Sequence, residues 1–221
     1  MNLKKDVAEY AVKFVNDGQV IGLGTGSTSS YFIKKLGKRI KDEELDIIGV
    51  ATSYQAFQLA IDCGIKIGST EEYDIDLAID GADAIDYNLD IIKGGGASHT
   101  IEKIVDYAAN KFYVIADEEK YVDELSEIPL PIEIIPVAVR LVSENLKDMG
   151  AKPVLRIAKN KQGPVVSDNG NFIIDAKFQS ISNPPQLERS LNSIPGVVEN
   201  GLFTQMADKV ILGTKNGVKE I

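Results

Sequence analysis

The feature that most constrains this chain is an alternation that runs from Leu3 to Ile115, in which short apolar runs are separated by segments with helical spacing. Leu3, Val7, Tyr10, Ala11 and Phe14 recur at helical spacing, Asp17-Gly18 breaks the run, and Val20-Ile21-Gly22-Leu23 follows as a buried strand. Beyond Gly24 to Thr28 the apolar positions Phe32, Ile33, Leu36 and Ile40 are helical again, and Ile47-Ile48-Gly49-Val50 makes a second buried strand, completing a βαβ unit. A helix near Tyr54 to Asp62 and strands at Ile65 to Ile67, Ile75 to Ile79, Leu89 to Ile92 and Phe112 to Ile115 extend the pattern. Runs apolar on both faces need helices above and below them, so the fold class is α/β, a doubly wound and mostly parallel sheet.

From about Pro129 the order changes. Ile132 to Ile135 reads as a strand, Val139 to Met149 as a helix stopped by Gly150, and Val154 to Ile157 as a strand. Asp168-Asn169-Gly170-Asn171 is a hairpin turn into Phe172 to Phe178, Pro184-Pro185 opens a helix to Asn192, and Gly196-Val197-Val198 begins another strand. The succession β, α, β, β, α, β is that of a ferredoxin-like α+β unit. Lys209 to Gly213 then returns to the first sheet. The expected organisation is a Rossmann-like domain over 1–128 and 203–221, with a small ferredoxin-like domain inserted at 129–202 and no internal repeat.

Charge narrows the partners. Twenty-four Lys and Arg against 33 Asp and Glu leave a net charge of -9, which argues against nucleic acid while permitting a phosphorylated small molecule held by a few local donors. The single cysteine, Cys63, rules out an internal disulfide framework and a four-cysteine metal site, and its place before Gly64 suits packing. The opening Met1 to Asp6 lacks the apolar core of a signal peptide, and no run approaches ~18 apolar residues, so a soluble cytoplasmic protein without membrane contact is expected.

Ligands of open parallel sheets bind at the carboxyl ends of the strands, and three segments there are unusually polar or glycine-rich. Thr25, Gly26, Ser27 and Thr28 follow Gly22-Leu23-Gly24 into a helix, where glycines permit close approach and hydroxyls and free N–H groups can donate to phosphate. A P-loop lysine is missing before Ser27 and the glycine spacing is not that of a dinucleotide fingerprint, so a capped tight turn stays an equal reading. Asp80-Gly81-Ala82-Asp83 sets two carboxylates around the smallest residues at a strand end, which suits a ligand approached by both more than an Asx turn, which needs one. A divalent metal on that pair lacks a third ligand, since His99 is the one histidine. Lys93-Gly94-Gly95-Gly96 before a helix places an ammonium beside bare N–H groups and reads as an oxyanion or phosphate site.

On the following helix Ile101, Ile104, Val105 and Ala108 form the apolar stripe, with Glu102 at its flank. Taken by themselves these residues favour an ordinary surface Glu102 over a desolvated base, and a surface or capping role for His99.

Together, in this order and spacing, the Gly-Thr-Gly-Ser-Thr loop, Asp-Gly-Ala-Asp, and Lys-Gly-Gly-Gly with a Glu six residues past its last glycine resemble the ribose-5-phosphate isomerase A family over nearly the whole chain. The resemblance implies a phosphosugar substrate bound by Thr25 to Thr28, Asp80 to Asp83, Lys93 to Gly96 and Lys120, with Lys4 matching a family lysine near the phosphate. It implies Glu102 as the base that interconverts ribose 5-phosphate and ribulose 5-phosphate through an enediolate, with Lys93, Asp80 and Asp83 as catalytic partners, no metal or organic cofactor, and a homodimer or homotetramer. Ala84 and Ile101 depart from the Glu and Arg frequent in the family, as does Ser98-His99 from a small apolar pair. The rival classes are a sugar-phosphate sensor without turnover, for which no DNA-binding segment precedes the sheet, and an acyl-CoA transferase, for which no separate glutamate nucleophile stands out.

Overall fold

The computed structural model describes residues 2–221. In chain order the elements are α1 (Leu3–Ala11), β1 (Val20–Leu23), α2 (Ser27–Glu43), β2 (Ile48–Ala51), α3 (Tyr54–Asp62), β3 (Lys66–Ile67), β4 (Leu77–Asp80), β5 (Ala84–Ile85), β6 (Ile91–Ile92), α4 (His99–Ala108) and β7 (Phe112–Asp117). There follow β8 (Leu130–Ile134), α5 (Val139–Asp148), β9 (Lys152–Leu155), β10 (Phe172–Lys177), α6 (Pro184–Asn192), β11 (Val197–Asn200), β12 (Leu202–Phe203), β13 (Lys209–Thr214) and β14 (Gly217–Glu220). They fall into two compact units, one of residues up to Ala82 with Ile101–Lys120 and Met206–Ile221, the other of Asp83–Thr100 and Tyr121–Gln205.

The first unit holds a seven-stranded sheet in the order β14-β13-β7-β4-β1-β2-β3, parallel except where β14 returns against β13. Alternation along β1 explains its two coats. Ile21 and Leu23 join a buried cluster with Val7, Ala11, Phe32, Ile33 and Leu36 of α1 and α2, whereas Val20 belongs with Val50, Ile75 and Val105. Gly22 lets α4 come close on that second face, for a Cβ there would lie 2.9 Å from Val105 Cγ1 and 2.8 Å from Ala78 Cβ. The caps follow the sequence: Asn2 accepts the Lys5 N–H at the start of α1, and Ser53 accepts that of Ala56 at the start of α3. Strand β13 lies in the same sheet as β1, as its apolar run predicts.

The second unit holds a four-stranded antiparallel sheet, β11-β8-β10-β9, with Val142, Leu146 and Leu191 of α5 and α6 buried among Leu130, Ile132, Ile134, Ile174 and Ala176. The turn expected at Asp168 to Asn171 is present, closed by Ser167 N–H to Asn171 O at 2.8 Å with Gly170 at φ 81°. A small antiparallel sheet, β12-β6-β5, completes the unit.

Here the structure corrects the sequence reading. Leu89 to Ile92 is not a strand of the parallel sheet, because only Ile91 and Ile92 are extended and they pair with β5 and β12. The cause is local: Asp86 Oδ1 accepts the N–H groups of Asn88 and Asp90, each at 2.9 Å, and Leu89 sits at φ 63°, so the chain doubles back as a hairpin. That pairing draws Asp83–Thr100 into the second unit, and the observed division therefore differs from the boundaries at 129 and 202. No helix among the described residues is long and apolar enough to cross a membrane.

Candidate active site

In the first unit the loop after β1 is built around Asp80. This carboxylate, fully buried at the end of β4, accepts at Oδ1 from Thr25 N–H (2.9 Å), Ser29 Oγ (3.1 Å) and Gly81 N–H (2.6 Å). Gly24 is required by that close approach, since a Cβ there would fall 2.0 Å from Asp80 Oδ1 and 2.5 Å from its Cα. Thr25 Oγ1 lies 2.7 Å from Thr52 Oγ1 and donates to Ser53 Oγ at 2.6 Å, while Gly26 N–H donates to Gln55 Oε1 at 3.1 Å. Helix α2 then starts at Ser27 behind Gly26, at φ 105° and with no side chain capping it, which leaves an amino end suited to an anion. Lys4 Nζ donates to Ser27 Oγ at 3.1 Å, adding a cation to that end. Thr25 to Thr28, Asp80 and Lys4 are thus brought together. Thr52, Ser53 and Gln55 were not singled out, although Ser53 before a helical run was the available signal.

Strands β1, β4 and β7 are parallel neighbours, so their carboxyl ends share one edge of the sheet. Half-buried Lys120 ends the short 3-10 helix Glu118–Lys120 that follows β7 at that edge. On α4, Glu102 is 5% exposed, and Lys103 and Asp106 are buried as well, whereas Ile104 is 49% exposed. This overturns two expectations, the surface Glu102 and the stripe through Ile104. Helical spacing fixes which residues share a face, while the packing of the helix decides which face is inward.

The second unit carries Asp83 and the Lys93-Gly94-Gly95-Gly96 loop. Asp83 N–H donates to Ile92 O at 2.8 Å, and its Oδ2 accepts the Gly95 N–H at 2.7 Å, so these two segments meet. Lys93 is buried, its N–H on Gly201 O at 2.9 Å and its Nζ 5.5 Å from the centre of the Phe203 ring. Gly94, at φ 103°, is needed for its backbone and for space, because a Cβ would meet His99 Nδ1 at 2.6 Å. His99 is itself fully buried, with Nε2 3.3 Å from Glu199 O, which corrects its expected surface or capping role. Arg156, unremarked in the sequence, donates from Nη1 to Gly94 O (2.9 Å) and Gly95 O (3.2 Å) and pairs with Asp175. Glu133, fully buried on β8, accepts from Thr100 Oγ1 (2.5 Å), Ser167 Oγ (2.7 Å), Asn169 Nδ2 (3.0 Å) and Asn171 Nδ2 (2.9 Å). Burial pushes the Glu133 carboxyl up, and the donors together outweigh that push and hold it below the ordinary glutamate value.

Three comparisons with known proteins bear on the family of the chain. The family model for ribose 5-phosphate isomerase A (phosphoriboisomerase A) matches residues 48–217. Ribose-5-phosphate isomerase A of Methanothermobacter thermautotrophicus is 54% identical over 219 residues, 99% of this chain and 97% of its own. The solved structure of ribose 5-phosphate isomerase A from Methanocaldococcus jannaschii superposes with a TM-score of 0.97 at 52% identity, over 99% of this chain and 97% of that one. A D-ribose-5-phosphate isomerase solved in complex with phospho-erythronic acid gives 0.98 at 54% identity, over 100% and 99% of the two chains. At this identity and coverage, the chain belongs to the ribose 5-phosphate isomerase A family.

Proposed function

We propose that this chain interconverts D-ribose 5-phosphate and D-ribulose 5-phosphate, with Glu102 as the base. The observation that carries the assignment of the base is the burial of Glu102, in a chain 54% identical over nearly its whole length to a named isomerase. Desolvation by itself makes a carboxylate a better base near neutral pH than an exposed one, where donors do not outweigh it as they do at Glu133. Glu102 takes the proton from C2 of the open-chain aldose, the C–H electrons form the C1–C2 double bond, and the aldehyde oxygen becomes the enediolate oxyanion. The same carboxyl returns the proton to C1 while the hydroxyl proton of O2 passes to O1, so the product is the ketose and nothing is gained or lost.

Lys93 and the glycine N–H groups beside it supply positive charge to the enediolate. Gly95 N–H is engaged by Asp83, which leaves the N–H groups of Gly94 and Gly96 as the glycine donors for that task. Of the two aspartates, partly exposed Asp83 suits hydroxyl proton relay and ring opening, and the three donors on buried Asp80 Oδ1 suit it to holding the Thr25 to Thr28 loop in its binding form. That loop and Lys4 take the phosphate, and Lys120 completes the sugar site. Anchoring the phosphate away from the reacting carbons lets binding energy orient C1 and C2. The strand order β11-β8-β10-β9 with both helices as crossovers supports the ferredoxin-like reading of the inserted segment. Family membership likewise supports a cytoplasmic homodimer or homotetramer.

The test is Glu102→Gln, which keeps size and removes basicity. Turnover of ribose 5-phosphate should fall by ~10²- to 10⁴-fold, roughly 3 to 5 kcal/mol of barrier, with affinity changed less than about tenfold. Wild-type turnover in that variant removes Glu102 from the role. No turnover by the unmodified, metal-stripped protein instead favours a sugar-phosphate sensor.

A further inference from the structure

We propose that Arg156 is a positioning residue that sets the peptide orientation of the Lys93–Gly96 loop, turning the N–H groups of Gly95 and Gly96 to the side where Asp83 lies. The inference rests on the isomerase reading for its effect on turnover, and on geometry alone for its effect on the loop.

Nη1 of Arg156 reaches two successive carbonyl oxygens, Gly94 O at 2.9 Å and Gly95 O at 3.2 Å. In a trans peptide the carbonyl and the N–H of the next residue point in opposite directions. Holding Gly94 O therefore aims Gly95 N–H away from the guanidinium, and it is found on Asp83 Oδ2 at 2.7 Å. Holding Gly95 O aims Gly96 N–H the same way, leaving that donor available to an oxyanion. Gly94 O also accepts the Ala97 N–H at 3.0 Å, so the clamp adds to a local turn there, whereas without it the Gly95–Gly96 peptide has many orientations of similar energy; Gly94 at φ 103° already occupies one open chiefly to glycine.

The clamp is itself held rigidly. Nε and Nη2 pair with Asp175 Oδ2 and Oδ1 at 2.8 and 2.5 Å, which fixes the plane of the fork, and Arg156 N–H donates to Ile173 O at 2.8 Å, tying the end of β9 to β10. The geometry needs a planar fork that serves a carboxylate on one edge and two carbonyls on another, which an ammonium cannot reproduce. A cation on the carbonyl oxygens also polarises the peptides, so their N–H groups become stronger donors.

The experiment uses the full chain and the variants R156K and R156A. Amide hydrogen exchange at Gly95 should quicken at least tenfold in R156K as its bond to Asp83 loosens. Unchanged exchange overturns the proposal whatever the parent's turnover, while absent turnover in the parent sinks the isomerase reading separately. Given turnover, kcat should fall roughly 10²-fold in R156A, the scale of losing one preorganised oxyanion donor, with KM within about threefold. Millimolar guanidinium should restore at least about tenfold of that loss, which a merely structural role would not allow. A kcat within threefold of the parent in both variants, or a loss in a folded R156A that guanidinium leaves untouched, overturns the proposal. Should R156A fail to fold, R156K, which keeps a cation opposite Asp175, decides through the same exchange and kcat measurements.

Discussion

Gly24→Ala is the sharpest probe of how the substrate loop is built. The added Cβ would stand 2.0 Å from Asp80 Oδ1, 2.2 Å from its Cγ and 2.5 Å from its Cα. Ordinary van der Waals separation begins near 3.4 Å, so about 1.4 Å must be found, and because the Asp80 backbone itself is approached, a side-chain rotation alone cannot supply it. That backbone is the end of β4, tied to the loop by Gly24 N–H on Ile79 O at 3.1 Å, and any retreat of Asp80 stretches its 2.9 Å bond to Thr25 N–H. Overpacking a buried site costs about 1–3 kcal/mol, and a weakened bond to a buried carboxylate adds to that, so roughly 3 kcal/mol or more is expected. At about 2–4 °C per kcal/mol for a chain of this size, thermal unfolding followed by circular dichroism should show Tm lowered by roughly 6–12 °C. The KM for ribose 5-phosphate should rise as well, because Thr25 loses its anchor. A Tm within about 2 °C of the parent, at unchanged KM, would refute the claim that Asp80 and Gly24 are packed against each other.

Two further outcomes follow from the buried network and from the phosphate end. Glu133→Gln should destabilise the fold at pH 7 by on the order of 2 kcal/mol, since four neutral donors now face an amide. Because the folded carboxyl lies below its ordinary value of 4.5, its contribution is complete above that value and is lost as pH falls through the folded pKa; denaturant unfolding at pH 7 and at progressively lower pH should show parent and variant converging, and a gap that widens in acid would contradict the assignment. Lys4→Met should raise the KM for ribose 5-phosphate up to about tenfold with kcat within about twofold, as expected for a cation that holds a remote phosphate; steady-state kinetics showing a fall in kcat at unchanged KM would place Lys4 elsewhere.

Much of this molecule could be read before its coordinates, and the reason is locality. The alternation of apolar runs with helical spacing is written within windows of a few turns, and it is enough to predict the mostly parallel sheet and the return of β13 to it, though not its place beside β7. The loops at 25–28, 80–83 and 93–96 stood out because glycines and hydroxyls at strand ends are unusual within those same short windows. What escaped depends mostly on residues far apart in sequence, the Asp86 turn with its bonds to Asn88 and Asp90 being the local exception. Asp86 folded a presumed strand into a hairpin, and the partners that then fixed it came from β12, more than a hundred residues on. Arg156 meets the glycine loop across 62 positions, and Glu133 meets Thr100 across 33. Glu102 and His99 read as surface residues because helical periodicity reports which side chains share a face and is silent about what covers that face. Burial is a property of the packed structure, as is the balance of desolvation and donors that sets a carboxylate's basicity at Glu133, and only the tertiary fold could decide them.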